Sequence, residues 1–430
     1  MISQTLDSSV DGILDRPLFN SYFMAGFECS THKLHTGRRL DMIAATKHDK
    51  FAMQDYARIQ GQGLRTAREG IRWHLVEQRP CQYDFSSVRS VIDAAQATNT
   101  QVIWDLCHFG WPDHIDILSP VFVTALAQFG AAFARLLKDE TSLAPFFVPL
   151  NEISFFSWAG GEEGALNPHV TGRGFELKRQ LVRASIATIE AIRTVNPSAR
   201  FLHVDPLIHV VAHPDTPEDQ PLAEAYRLSQ FQSADMLAGR LCPELGGRES
   251  YLDLVGVNYY LHNQWIYDVK GFCRTHAFEP LGRTHPAYRP LRQLLAEVHE
   301  RYNRPMLVAE TGAEDDARGS WLRYVVDETE AAMRNGVPVH GICLYPILNH
   351  PGWNDNRHCH NGLWDYADRK GERAIHGSLA QQLQCAQKQF ANATMMPKPL
   401  LIHGIKHRKA SESATRKKTD NPLRAIRANR

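Results

Sequence analysis

The sequence predicts an α/β fold, a TIM (β/α)8 barrel with long loops on the C-terminal face, and three observations predict it. Eight apolar strand-like runs alternate with amphipathic, helix-period segments along the chain. Eight is the strand number that closes such a barrel. The long irregular segments 157–174, 205–218, 261–288 and 345–377 all follow strands, whereas the helix-to-strand links are short. Long loops therefore gather on one rim, where barrel enzymes build their sites. Alternation alone also suits an open doubly wound sheet. No GxGxxG or GxxxxGKS/T turn follows any strand, which speaks against the nucleotide-binding versions of that alternative.

The elements read in order as follows. The run Tyr22–Glu28 opens the barrel, and Lys50–Gln60 is its following helix. Leu64–Trp73 is followed by Val88–Ala97, Gln101–Leu106 by Val121–Lys138, and Phe146–Leu150 by Glu176–Val195. Phe201–Val204 precedes the helical stretch Leu222–Leu237, Leu252–Asn258 precedes Leu291–Tyr302, and Met306–Ala309 precedes Ser320–Arg334. Val339–Leu344 is the eighth strand, and Leu379–Phe390 closes the series.

Composition bounds the class. With 430 residues, 43% hydrophobic and 22% charged, the chain suits a soluble globular protein with a sizeable core. The reading is one catalytic barrel over residues 1–397 and a basic, disordered tail over 398–430. Between Lys406 and Arg430 nine Lys/Arg stand against Glu412 and Asp420, a local +7, so the rest carries about −6 of the net +1. No aromatic residue interleaves with those charges, so neither nucleic acid nor a membrane is expected as a partner. The first residues lack a basic segment followed by an apolar one, and no apolar window of spanning length stands out, which points to a cytoplasmic protein. Eight scattered cysteines without a CxxC pair read as reduced thiols. Cys29 and Cys107, near strand ends, read as packing residues. The oligomeric state is not written in the sequence.

The chemistry lies in two carboxylates. Glu152 follows the apolar run Pro145–Leu150 and Glu310 ends the run from Met306. Each stands where a buried strand stops, one after the fourth strand and one after the seventh, so the two face one another across the barrel mouth. Retaining glycoside hydrolysis needs one carboxyl that holds a proton for the leaving oxygen and another that stays ionised and attacks the anomeric carbon. A gap of about 5–5.5 Å between them suits a retaining mechanism and roughly 6.5–9.5 Å an inverting one.

Six short motifs surround this pair in order: Arg68–Trp73, Asp105–Pro112 with His108, Asn151-Glu152, Leu252–Tyr260, Ala309–Gly312 and Tyr345–Trp353. Along them, from Phe23 to about Asp368, the chain resembles the family 1 glycoside hydrolases, β-glucosidase-like enzymes of a retaining clan built on an eight-stranded barrel. Arg68–Trp73 is similar to that family's RFSISW segment, His108 to the histidine of HWDLP, and Asn151-Glu152 to the NE of its acid/base motif NEP. Leu252–Tyr260 is close to LDFIGLNYY, and Ala309–Gly312 resembles the nucleophile motif TENG. The segment Gly160–Pro168 resembles the loop after the acid/base. The resemblance implies Glu310 as nucleophile and Glu152 as general acid and then base, with no cofactor and a small carbohydrate or glycoside as substrate.

Supporting roles follow from chemistry. Arg68, Asn258 and Tyr260 are expected to favour the charged form of Glu310. Asn151 is placed to bond the sugar 2-hydroxyl. The resemblance implies His108, Glu28 and His32 as further sugar contacts; Trp353 offers an aromatic face to a sugar, and Asn167 and Asn354 are candidate hydroxyl partners. Two positions depart from the family's WSLLDNFEW segment: Tyr345 replaces a tryptophan under the sugar, and Gly352 replaces a glutamate that binds its outer hydroxyls. The sugar is therefore left open. His350, His358, His360 and Asp355 cluster in the same loop without a recognisable zinc spacing, so the loop is read as substrate-binding and no metal is expected. A transglycosidase, a catalytically silent carbohydrate-binding barrel and a metal-dependent barrel hydrolase are the competing readings.

Overall fold

The computed structural model describes residues 17–141, 144–267 and 279–393. Eight strands, β1 Phe23–Gly26, β2 Thr66–Gly70, β3 Gln101–Asp105, β4 Phe146–Val148, β5 Arg200–Pro206, β6 Leu254–Asn258, β7 Met306–Thr311 and β8 Val339–Leu344, form a closed barrel in chain order. Every neighbouring pair is parallel, and β8 returns to β1 through Phe23 opposite Ile342. The eight expected strands are these eight: five are shorter than expected, Phe201–Val204 and Met306–Ala309 are longer, and Val339–Leu344 is unchanged.

Side chains alternate between the barrel interior and the helix layer. Met24, Ile103, Phe146, Val148, Leu202, Val204, Leu254, Leu307 and Cys343 form one buried cluster. A Cβ at Gly256 would press within 2.9 Å of both Ala309 and Val204, so the smallest residue sits where neighbouring strands fill the interior. On β2 the alternation separates two charges: Arg68 reaches Glu310 on β7, whereas Glu69 reaches His48 and Tyr56 on the outer helix His48–Gly61.

The outer helix Pro120–Glu140 corrects the expectation that no segment approaches a membrane span, since by length and composition it meets that test. Phe122, Leu126, Phe129, Phe133 and Leu137 are all buried. At Gly130 an added Cβ would come within 2.9 Å of Thr188 and 3.2 Å of Ile192 on the neighbouring helix Gly174–Val195. Apolar length here serves packing within the barrel's helix layer.

Two other departures have local causes. The expected helix Leu222–Leu237 is Gln220–Leu228, a 3-10 turn at Ser229–Phe231, and Gln232–Leu237. Ser229 Oγ bonds Tyr226 O at 2.7 Å, and the Gln230 side chain bonds Arg227 O at 2.7 Å and both backbone groups of Ile208; such bonds compete with the helix ladder. Segments read as loops contain small sheets. His209–Ala212 pairs with Gln264–Tyr267, which pairs with Glu279–Pro280, and His350–Pro351 pairs with His358–Cys359. The described residues up to Gln389 form one compact unit; the expected tail, 398–430, lies outside the described residues.

Candidate active site

The catalytic candidates stand where the barrel's hydrogen bonding runs out. Past β4, Asn151 N–H still donates to Cys107 O and Glu152 N–H to Val204 O, each at 3.0 Å. Glu152 then adopts a left-handed conformation, φ 46° and ψ 61°, from which the short helix Ile153–Phe156 departs. For a residue with a Cβ this costs about 1–2 kcal/mol. Glu310 lies opposite Asn258 of β6, just past a shift in register after Val308.

Arg68 organises the floor between them. Its guanidinium is fully buried and grips Asp105 with two bonds, Nε–Oδ1 at 3.1 Å and Nη2–Oδ2 at 2.7 Å. It also donates to Glu310 Oε1 and to Asn151 Oδ1, each at 2.7 Å. The other Glu310 oxygen accepts from Tyr260 Oη at 2.7 Å. Burial and the Glu310 charge keep the Tyr260 phenol protonated well above its ordinary range, so it is a donor. Glu310 thus has a cation on one oxygen and a hydroxyl on the other, partners that favour a carboxylate.

Glu152 sits in the opposite environment. Burial first, and then the charge of Glu310, raise its pKa well above the ordinary carboxylate range. The bond from Asn258 Nδ2, 2.7 Å to Oε1, works against that rise. This corrects the sequence expectation for Asn258, which donates to the acid rather than supporting Glu310. Asn258 ends β6 directly opposite Glu310 in register, yet its amide reaches across the rim to Glu152, which follows β4.

The remaining predicted residues divide. His108 bonds Asp105 Oδ2 through Nδ1 at 3.0 Å and meets Asn151 Nδ2 through Nε2 at 3.1 Å. Asn151, His108, Glu28, Tyr260, Tyr345 and Trp353 all line one cavity of about 970 Å³ together with both catalytic candidates. That volume lies near the top of the roughly 300–1,000 Å³ usual for ligand pockets. Arg68 lies beneath the lining. His32 does not line the cavity; it packs against the Trp353 ring at 4.6 Å between centroids, and burial lowers its pKa to about 4. It is a neutral support for Trp353, which corrects its reading as a sugar contact. Asn167 donates to Phe109 O at 3.2 Å, and neither it nor Asn354 lines the cavity.

No family model matches this sequence, and no curated protein matches it. Solved structures do. A family 1 β-glucosidase from Thermotoga maritima superposes with a TM-score of 0.68 at 16% identity, covering 85% of this chain and 97% of that one. The same β-glucosidase in complex with glucoimidazole gives 0.66 at 16%, covering 80% and 87%. The AHE enzyme from Alicyclobacillus herbarius gives 0.70 at 17%, covering 86% and 97%. The chain has the fold of the family 1 β-glucosidases. At these identities the likeness is one of fold.

Within this β-glucosidase fold the two departing positions are now explicable. Tyr345 is buried, stacks parallel to His108 with centroids 6.1 Å apart, and lies 5.3 Å from the Arg68 guanidinium carbon. A Cβ at Gly26 would collide with the Tyr345 ring, so glycine on β1 makes its room. At Gly352 a Cβ would collide with Asp355. Two carboxylates line this end of the cavity, Glu314, which is held by Arg357, and Glu28, just past the end of β1. Burial opposes its ionisation, but the charges of His108 and His350 and the Ser30 hydrogen bonds outweigh burial and hold its pKa below the usual range.

The histidine loop does not converge on a metal. His358 pairs with Asp365 at 2.8 Å and stacks on His360, while His350 Nε2 meets Asn361 at 3.0 Å. Among the described residues the one metal-like trio is Cys29, Asp105 and His108. Arg68 already occupies both oxygens of that aspartate, and burial raises the Cys29 thiol well above its ordinary pKa. A buried cation in place and a protonated thiol fit a hydrogen-bonded floor rather than a cation site.

Sequence reading missed the half of the cavity built by the loops after β4, β5 and β6. Phe155, Trp158, Phe175, Lys178, Tyr226 and Trp265 line it. The pairing of Phe155 with Trp158 and the apolar start of the helix at Phe175 were the available signals.

Proposed function

We propose that this protein is a retaining β-glycosidase, a divergent relative of the family 1 enzymes, acting on small β-glycosides. The observation that carries the proposal is the contrast between two buried glutamates: Glu310 held by Arg68 and Tyr260, and Glu152 disposed by burial and by its neighbour's charge to keep a proton. In the first step a Glu310 oxygen attacks the anomeric carbon while the bond to the leaving oxygen breaks and Glu152 gives that oxygen its proton. Esterification then removes the charge of Glu310, so the pKa of Glu152 falls and it becomes a base. A water next loses its proton to Glu152 and attacks the same carbon, breaking the ester, freeing the sugar and returning Glu310 to its carboxylate.

The complexes of the Thermotoga β-glucosidase with glucoimidazole and deoxynojirimycin support a small carbohydrate as ligand. The seven described cysteines are all free thiols, which supports a reducing compartment, the cytoplasm. A 2-fluoro glycoside of a responsive sugar should label Glu310 covalently, detected by peptide mass. Hydrolysis without label, or label on another residue, would sink the assignment. Sugar binding with neither label nor turnover would favour a silent binding barrel.

A further inference from the structure

The catalytic ring divides the cavity into two sectors. Glu28, His108, Tyr345 and Trp353 come from the ends of β1, β3 and β8, whereas the other sector follows β4, β5 and β6. The second sector adjoins Glu152, the proton donor, and the proton goes to the leaving group, so this is where an aglycone lies. Its walls are apolar and aromatic, with Phe155, Trp158, Tyr226 and Trp265, and Phe175 stands half-exposed at the mouth.

Two charged residues break that pattern, Glu162 and Lys178. Lys178, on the helix Gly174–Val195, lines the sector while only 8% exposed. Its ammonium bonds Gln232 Oε1 at 2.9 Å and Ser229 O at 3.4 Å, both neutral oxygens. Among the described residues it has no ion pair. Asp205, the acid whose charge reaches it, is bound by Ser154, Ser233 and His203. Glu162, at the same wall, accepts from Gly174 N–H at 3.1 Å. A nine-tenths buried lysine is rarely left without a counter-charge, and an ammonium has three donors, of which two have protein acceptors here.

We infer that the sector beside Glu152 is a subsite for an anionic leaving group, an aromatic or sugar aglycone bearing a carboxylate or similar acid that pairs with Lys178. The inference rests on the glycosidase reading above and names its substrate class. Aromatic walls take the ring faces of such an aglycone, and the anion replaces the missing counter-charge. Burial now lowers the lysine's pKa; an anion at this site would raise it again.

The test compares two aryl β-glycosides that differ only in a ring carboxylate or its carboxamide, on the glycone that a nitrophenyl β-glycoside screen identifies. Wild-type protein should favour the carboxylate by about tenfold or more in kcat/KM, the scale of a hydrogen bond to a charged partner. Lys178→Arg should keep the preference and Lys178→Met should bring the ratio near one. No preference in the wild type, or the same ratio in Lys178→Met, would overturn the inference and leave the glycosidase reading standing, because both substrates would still be hydrolysed. Absence of turnover on every nitrophenyl glycoside, with no label on Glu310, would bring down the glycosidase reading and this inference with it.

Discussion

Strand β2 carries two adjacent charges into two different buried clusters, and the clusters do different work. Arg68 points into the barrel and joins Asp105, Asn151 and Glu310. Glu69 points outward and joins His48 and Tyr56, with His48 in turn on Asp55, and Asp55 on Arg373 and Arg58. Both are buried charge networks. The inner one borders a cavity and contains an acid, Glu152, in conflict with its neighbour's charge. The outer one does not line that cavity, and each of its charges faces an opposite one. Burial of ions is therefore no mark of a site by itself. What marks the site is an unresolved conflict that opens onto space.

That contrast makes changes in the inner cluster kinetic and changes in the outer one thermodynamic. Glu310→Gln should lower kcat by about 10⁴-fold or more, the scale for removing a reacting group, with the urea midpoint unchanged or raised because a like-charge conflict is gone. A lowered midpoint with activity retained would break the comparison. Glu152→Gln should cost about 10²–10⁴-fold on substrates with poor leaving groups and less on activated aryl glycosides. The raised pKa of Glu152 places the alkaline limb of kcat/KM above the ordinary carboxylate range, since the acid must be protonated to act; a pH profile of the variant should lack that limb.

Glu69→Ala leaves His48 buried beside a missing partner and should cost about 3–5 kcal/mol in urea unfolding, with kcat of the folded fraction unchanged. A kcat loss without a stability loss would show the outer cluster to be catalytic. The smallest effect is a pH window. Burial opposes a charge on His48, but Glu69 and Asp55 outweigh it and raise its pKa to about 9. A raised pKa in the folded state stabilises the fold fully below the unfolded value near 6.5, and the contribution fades as pH rises through about 9. Unfolding midpoints measured from pH 6 to pH 10 should show this fall, and His48→Leu should flatten it.

The legible half of the molecule is the half set by strand ends. Glu152 and Glu310 were readable because short apolar runs fix where each strand stops and a barrel brings all stops to one rim, and Arg68 and Tyr260 because they lie in motifs that resemble those of a known family. Asn258 was placed correctly at the strand end and given the wrong partner, since it stands opposite Glu310 in register but turns its amide to Glu152, a choice residue type does not reveal. His32 was misread because nothing in its sequence distinguishes a residue lining the cavity from one behind Trp353. The sector around Lys178 was missed, its only sequence signals being the Phe155 and Trp158 pair and Phe175. Its residues come from three loops and from a helix broken by Ser229 and Gln230, whose geometry arises from side chain–backbone bonds that sequence periodicity does not carry.

The alternation on β2 also bears on how the barrel assembles. A one-residue slip of that strand would exchange the faces of every side chain, setting Glu69 beside Asp105 and Glu310 and turning Arg68 out among the helices. Three acids would then share the interior without a cation. The arginine that holds Glu310 thus also disfavours a misaligned β2, through the same charges that line the inner cluster.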